Sequence, residues 1–355
     1  MNRIVHEDIE AIIASNCVDW KRFHGKTVLI TGASGMLPSY MALTLLVLNR
    51  EMDLDIKVVA LVRNREKAEK VFQDFISDRR LQLLIQDVSQ PFNYHEQIDF
   101  IIHAASQASP RYYGTDPVGT LNANILGTHN LLEYARKNKV ESFLFFSTGG
   151  VYGNFSNDDI EISEDMYGVV DPLNVRSCYF ESKRMAENIC VCYAYQYGIP
   201  VKIIRIFHTL GPYIDINDGR AFSDFCKAII ENRNIVLRSD GLAYRTFCYI
   251  SDAIKAYFMV LLNGNNAEAY NVGSAKNEIS MKNLASLLVN SYPEKHLSIE
   301  FNIDSKNVTY SKMRNPVNRV IPNIGKISFL GWNETYSVQQ AFMRTIEGVA
   351  SLKCI

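Results

Sequence analysis

The apolar positions of this 355-residue chain fall into short unbroken runs, and the stretches between them carry a helical period. Lys26 to Thr31, Ile56 to Val62, Leu81 to Ile85, Asp99 to His103, Ser142 to Ser147 and Val201 to Ile206 read as strands. Leu37 to Asn49, Glu66 to Phe75, Asp116 to Lys137 and Tyr179 to Tyr197 read as helices, the third opened by the start signal Asp116-Pro117. Strand and helix alternating in this order predict an α/β fold with a doubly wound parallel sheet. In such sheets ligands sit beyond the carboxyl ends of the strands, which directs attention to the loops after residues 31, 62, 85, 103, 147 and 206. After Ile206 the rhythm weakens, with Pro212, Gly219, Gly241 and Gly264 punctuating mixed segments. Residues 1–25 form an amphipathic extension in which Ile9, Ile12 and Ile13 share a face, a packing surface by this reading.

Composition narrows the class. The chain is 47% hydrophobic and 21% charged, which suits a globular protein with a large core. A net charge of -1 offers no basic field for nucleic acid, so an anionic ligand must be met by local arginines. The seven cysteines are odd in number and contain no CxxC pair, which fits reduced thiols in a cytoplasmic protein. The longest early apolar stretch, Met41 to Leu48, is too short to span a bilayer, and no signal-peptide pattern opens the chain. No metal-ligand spacing stands out, and neither a membrane nor a nucleic acid is expected as partner.

Candidate chemistry begins at Thr31-Gly32-Ala33-Ser34-Gly35, between the first strand and first long helix. Glycines there let backbone N–H groups approach a pyrophosphate, and the helix presents its positive end to it. Alone such a loop is also an ordinary glycine-rich turn; its place makes it a dinucleotide cradle of the Rossmann type. The second strand ends Leu61-Val62-Arg63-Asn64-Arg65, with two guanidinium groups where an acid would bind a ribose 2′-hydroxyl. Arginine favours a 2′-phosphate, so NADP(H) is expected over NAD(H); the alternative is a solvated basic helix start. Tyr179 and Lys183 lie four apart, on one face of a helix. A lysine charge beside a phenol lowers its pKa and readies it for proton exchange with a substrate hydroxyl. Ser147-Thr148-Gly149-Gly150 closes the fifth strand, and Thr148 is placed to hold the same oxygen; the plainer reading is a polar turn.

Together these stretches resemble the extended short-chain dehydrogenase/reductase family, in its nucleotide-sugar epimerase/dehydratase branch. The resemblance also rests on Asp87-Val88, His103-Ala104-Ala105, Asn124, Gly127-Thr128, Val151-Tyr152-Gly153, Arg205, Gly211-Pro212, Arg245 to Asp252, Tyr270 to Gly273 and Leu330-Gly331-Trp332. Arg176 to Lys183 with Arg245 to Ile250 is most similar to the UDP-glucuronate decarboxylase group. The family resemblance implies Tyr179 as catalytic acid/base, Lys183 on the nicotinamide ribose and Thr148 on the sugar C4 oxygen. It implies Gly32, Ser34, Gly35 and Met36 on the pyrophosphate, Asp87 and Val88 at the adenine, and Ala104 and Ala105 lining the cofactor. Arg245 would pair with a nucleotide-sugar diphosphate, with Gly149 and His208 also on the substrate side. Homodimerisation through the helices at 116–137 and 179–197 is expected from the same resemblance. The implied organisation is an extension at 1–25, a dinucleotide-binding unit at 26–206 with returning segments near 246–270, and a smaller α/β substrate lobe at 207–355.

Departures from the family pattern sharpen the expectation. Pro38 stands at the third glycine, a position that serves helix–strand packing, and a first helical turn tolerates proline. Gly149 and Gly150 stand where dehydratases of the branch carry an Asp-Glu pair and the decarboxylases a Glu in the second place. Without a carboxylate there, elimination lacks its acid/base. His208 replaces a substrate-holding Asn, either to bind a sugar hydroxyl or to pack. The expected activity is NADPH-dependent reduction of the C4 ketone of a nucleotide-linked, 6-deoxy sugar, for surface-polysaccharide sugar synthesis. The alternatives are a redox-neutral 4-epimerase, then a decarboxylase, then a catalytically silent NADP(H) sensor.

Overall fold

The structure, a computed structural model, describes residues 1–155, 161–302 and 319–353. Its centre is a seven-stranded sheet. The strands are β1 (Thr27–Thr31), β2 (Lys57–Val62), β3 (Leu81–Ile85), β4 (Phe100–His103), β5 (Ser142–Thr148), β6 (Val201–Ile206) and β7 (Glu268–Val272). They pair in the spatial order β7-β6-β5-β4-β1-β2-β3. Every pairing is parallel, from Thr27 opposite Lys57 at one side to Val272 opposite Ile206 at the other. Strands buried on both faces read as continuous apolar runs, which is why β1, β2, β4, β5 and β6 were legible; the edge strand β3 is only partly buried. Val28 and Ile30 enter one core while Leu29 enters the other.

Helices cover both faces. One face carries α1 (Arg3–Ile13), α2 (Met36–Met52), α7 (Ile250–Asn263) and α9 (Val338–Lys353). The other carries α4 (Pro117–Asn138) and α5 (Cys178–Tyr197). The short α3 (Arg65–Val71) follows β2; it is capped by Asn64, whose side chain accepts from Lys67 N, and turns at Phe72, before the Phe75 the periodicity suggested. α6 (Ala221–Ile230) and α8 (Met281–Ser291) belong to the later part of the chain.

The N-terminal extension is part of the core. Asn2 caps α1, and Val5, Ile9 and Ile12 are fully buried, with Ile13 at the margin. Asp8, also fully buried, accepts from Tyr40 (3.0 Å), Tyr249 (2.7 Å) and Arg344 (2.8 Å), tying α1 to α2, α7 and α9. Residues 161–162, before β6, and 244–246, 278–280 and 319–322, after it, build a four-stranded mixed sheet. The chain also returns through α7 to add β7 to the central sheet.

Because β1 has β2 on one side and β4 on the other, the strand order reverses there. That reversal opens a crevice at the carboxyl ends of β1 and β4. Among the described residues no helix is long and apolar enough to cross a membrane. The six described cysteines are free thiols; Cys354 lies outside the described residues.

Candidate active site

The loop from β1 to α2 forms one wall of the crevice. Gly32 has φ +65°, and a Cβ there would lie 2.9 Å from the Ala105 Cα, so both its conformation and the close approach of a neighbouring loop require glycine. Gly35 N donates to Gly32 O (2.8 Å) and caps α2 without any side-chain acceptor. The first helical N–H groups therefore face the crevice end of the helix uncapped by a side chain. Pro38 is buried in the first turn, where its missing N–H has no intrahelical partner; the first such bond is Ser39 N to Gly35 O (3.0 Å). Ser34 and Met36 are half-buried beside it.

A buried relay fixes the opposite loop. Thr128 Oγ1 donates to Asn124 O (2.5 Å), which leaves it to accept from His103 Nε2 (3.1 Å). His103 Nδ1 then accepts from Thr31 Oγ1 (2.9 Å), which itself accepts from Ala104 N (3.1 Å) and Ala105 N (3.0 Å). Burial, and then the charge of Lys183, push His103 down to about 3, so the ring is neutral with a set tautomer. The Ser106 hydroxyl that follows is buried without a partner. Gly-lined walls, a bare helix start and an orphaned hydroxyl beside Ala104 and Ala105 together fit a dinucleotide.

Arg63 follows β2 and Arg65 opens α3, with side chains 59% and 61% exposed. Arg63 lies 3.6 Å from Asp87 and Arg65 lies 3.6 Å from Glu69. Asp87 also accepts from Ser89 N (2.9 Å) and Oγ (2.7 Å). Val88 packs into the space left by Gly127, and Asn130 Nδ2 donates to the carbonyls of Val88, Ser89 and Gln90, holding this loop against α4.

Thr148, Tyr179 and Lys183 meet at the carboxyl end of β5. Tyr179 is in the first turn of α5, with Thr148 among the groups that act on its phenol. Lys183, one turn on, donates from Nζ to Phe146 O (2.6 Å). The expected lowering of Tyr179 by Lys183 is not realised in this arrangement. Burial pushes the phenol up to about 12, offset in part by Thr148 and Arg220. Lys183 is itself pushed down to about 7 by burial. Beneath the pair, Asn124 Nδ2 donates to Ser182 Oγ (2.8 Å), which donates to Tyr179 O (3.0 Å). Ser147 donates to Glu187, which also takes a bidentate bond from Arg205, Nη2 to Oε2 at 2.8 Å.

Aromatic rings surround Tyr179 and the turn at Gly149. Tyr113 stacks on Tyr179 with centroids 4.9 Å apart, and Phe180 meets Tyr179 edge-on at 5.5 Å. A Cβ on Gly149 would sit 3.0 Å from the Phe207 ring. His208 is half-buried between Phe222 and Phe247; burial, then the charges of Arg245 and Arg220, push it down to about 3. Arg245 is half-buried on its strand, with Nη1 donating to Tyr244 O (2.6 Å). Arg220, whose charge acts on Tyr179, Tyr113 and His208 alike, was not singled out from the sequence, nor were Tyr113, Phe180 and Phe207. Phe180 stands next to Tyr179 in sequence and Arg220 in an Asn-Asp-Gly-Arg turn before α6, but neither spacing reveals what it touches. Among the described residues no group of three or more His, Cys, Asp or Glu is placed to hold a metal.

Known proteins share this design. Residues 28–273 match the model of the NAD dependent epimerase/dehydratase family. UDP-glucuronic acid decarboxylase 6 of Arabidopsis thaliana is 33% identical over 260 residues, 73% of this chain and 72% of that protein. UDP-glucuronic acid decarboxylase 1 of Xenopus tropicalis is 31% identical over 328 residues, 90% of this chain and 71% of that protein. A UDP-glucuronic acid 4-epimerase of Bacillus cereus, solved in complex with NAD, superposes with TM-score 0.75 at 24% identity, covering 92% of this chain and 99% of that one. The chain belongs to the NAD dependent epimerase/dehydratase family, among the extended short-chain dehydrogenases/reductases.

Proposed function

We propose that this protein reduces the C4 ketone of a nucleotide-linked 6-deoxy sugar, drawing on NADPH, in the synthesis of surface-polysaccharide sugars. The observation that carries the reading is the pair Gly149-Gly150, which leaves no carboxylate beside the reacting carbon. Elimination and decarboxylation both need a group there to manage a proton at the neighbouring carbons, whereas carbonyl reduction needs only a hydride and one proton donor. Bound nicotinamide would supply the hydride to C4. Tyr179 gives its phenolic proton to the oxygen that becomes the hydroxyl; a phenol held near 12 stays protonated at neutral pH and is loaded for that step. Thr148 orients the same oxygen through its hydroxyl. Lys183 holds the nicotinamide ribose, and Arg245, with Arg220 nearby, meets the diphosphate. Arg63 and Arg65, exposed just after β2, favour the 2′-phosphate of NADP(H).

A 4-epimerase is the second reading. Both arginines already have a carboxylate within 3.6 Å, which suits a cofactor without a 2′-phosphate, and Ser-Thr-Gly-Gly resembles epimerase loops. A homodimer through α4 and α5 is supported by exposed Val118, Leu126, Met185 and Tyr195 on those two helices, a face that a second copy would cover. Free thiols agree with a cytoplasmic setting.

The test is a panel of UDP-, dTDP-, CDP- and GDP-sugars with and without NADPH, following absorbance and products. Stoichiometric NADPH consumption with a 4-keto sugar is the expected result. Turnover of a plain hexose without added cofactor would establish epimerisation instead, and carbon dioxide release would establish decarboxylation. NAD used as well as NADP would overturn the assignment of Arg63 and Arg65. Tyr179→Phe abolishes activity under this reading; full activity in that variant would overturn the site.

A further inference from the structure

The two glycines after Thr148 are not an open gap. A Cβ built on Gly150 would lie 2.2 Å from Phe180 Cε1 and 2.3 Å from Cδ1, far inside any real carbon contact. The Phe180 ring therefore occupies the volume that a side chain at position 150 would need. Phe180 is half-buried, and is held edge-on by Tyr179 (5.5 Å) and Tyr113 (6.1 Å). Phe207 leaves little room over Gly149, where a Cβ would lie 3.0 Å from its ring. Gly150 N in turn donates to Thr148 Oγ1 (3.2 Å), which fixes this turn close to the hydroxyl that orients the substrate oxygen. Arg220, whose charge acts on Tyr179, is engaged by buried Asp218 through Nε (2.6 Å).

We infer that Phe180 determines specificity: its ring makes the wall beside the reacting carbon apolar and so selects a sugar with a methyl group at C5 over one with a carboxylate or hydroxymethyl group there. Of the two carbons next to C4, C3 ordinarily carries a hydroxyl, which would lose its hydrogen bonds against these rings. C5 carries the exocyclic carbon, and a methyl there buries apolar surface against Phe180. A carboxylate in the same place would be desolvated without a partner. The inference rests on the assignment of Tyr179 and Thr148 to the C4 oxygen and deepens the reductase reading.

Binding separates the two ideas. UDP- and dTDP-linked 6-deoxyglucose, glucose and glucuronate, which differ only at C5, are titrated into wild type, Phe180→Ala, Phe180→Leu and Phe180→Tyr with oxidised cofactor present. The wild type is expected to bind the 6-deoxy sugar on the order of 100-fold more tightly than the uronate, a size typical of such pocket discrimination. Phe180→Ala reduces that ratio to about tenfold or less, and Phe180→Leu keeps most of it. Phe180→Tyr places a hydroxyl at the ring edge and improves the hydroxymethyl sugar. A wild type that binds all three alike, or a ratio unchanged in Phe180→Ala, overturns the inference even if NADPH-dependent reduction is found. A retained ratio without reduction overturns the reductase reading alone. The shared volume has its own check: Gly150→Ala lowers the melting temperature, and Gly150→Ala/Phe180→Ala recovers it. If the double variant recovers nothing, the two positions do not compete for space.

Discussion

Arg205→Met would remove the cation from a buried pair that braces the strand behind Thr148. The Arg205 and Glu187 side chains are 10% and 11% exposed. Arg205 gives Glu187 Nε at 3.1 and 3.3 Å and Nη2 at 2.8 Å, spends Nη1 on Glu164 O (2.9 Å), and lies over the Tyr152 ring at 4.8 Å. Burial alone would lower its pKa, but the contacts to Glu187 more than offset this and raise it. Methionine fills similar volume and, among the described residues, leaves Glu187 with Ser147 alone as a donor. Breaking a buried pair from one side costs about 3–5 kcal/mol, because the remaining charge stays desolvated. At roughly 2 °C per kcal/mol for a chain of this size, the melting temperature falls by roughly 5–10 °C. Arg205→Met/Glu187→Met recovers most of that loss, since a well-packed apolar pair of this volume is often neutral. Thermal melts of wild type, the single variants Arg205→Met and Glu187→Met, and the double variant decide it. A single variant within about 1 °C of wild type, or a double variant as unstable as the two singles summed, would refute the reasoning.

Three further outcomes follow from the crevice. Gly32→Ala forces φ +65° on an alanine with its Cβ 2.9 Å from Ala105, costing about 2–5 kcal/mol in unfolding experiments and weakening dinucleotide binding; unchanged stability would contradict this loop geometry. Pro38→Gly loses about 0.5–1 kcal/mol through the freer unfolded chain yet keeps cofactor affinity within about twofold; a tenfold loss by fluorescence titration would place Pro38 in the cradle itself. His103 and His208 are held near 3 against an ordinary 6.5, so their NMR signals stay in the neutral form down to acidic pH. Since the unfolded chain takes up these protons first, stability falls as pH drops from 6.5 towards 3, and His103→Gln makes that decline shallower; an imidazole of either residue titrating near neutrality would show it to be solvated.

The sequence by itself determined the elements and the cradle, because those rest on local rules. A parallel strand buried on both faces is an apolar run, a cradle glycine follows the strand directly, and Tyr179 and Lys183 share a face through helical spacing alone. Even Pro38 was legible, since a first turn has no hydrogen bond for proline to remove. What the tertiary structure decided are contacts between segments that no period connects. Glu268 to Val272 joins the sheet 62 residues after β6 ends, counting from Ile206 to Glu268. Asp8 bonds to Tyr40, Tyr249 and Arg344, so an extension read as a packing surface also carries a buried charged node. Burial, not Lys183, dominates the Tyr179 phenol, because desolvation depends on everything packed around a group and not on its neighbour one turn away. And the glycines at 149 and 150, which in the sequence are only missing acids, are in the fold the positions that make room for Phe207 and Phe180, rings brought there by α5 and by the end of β6.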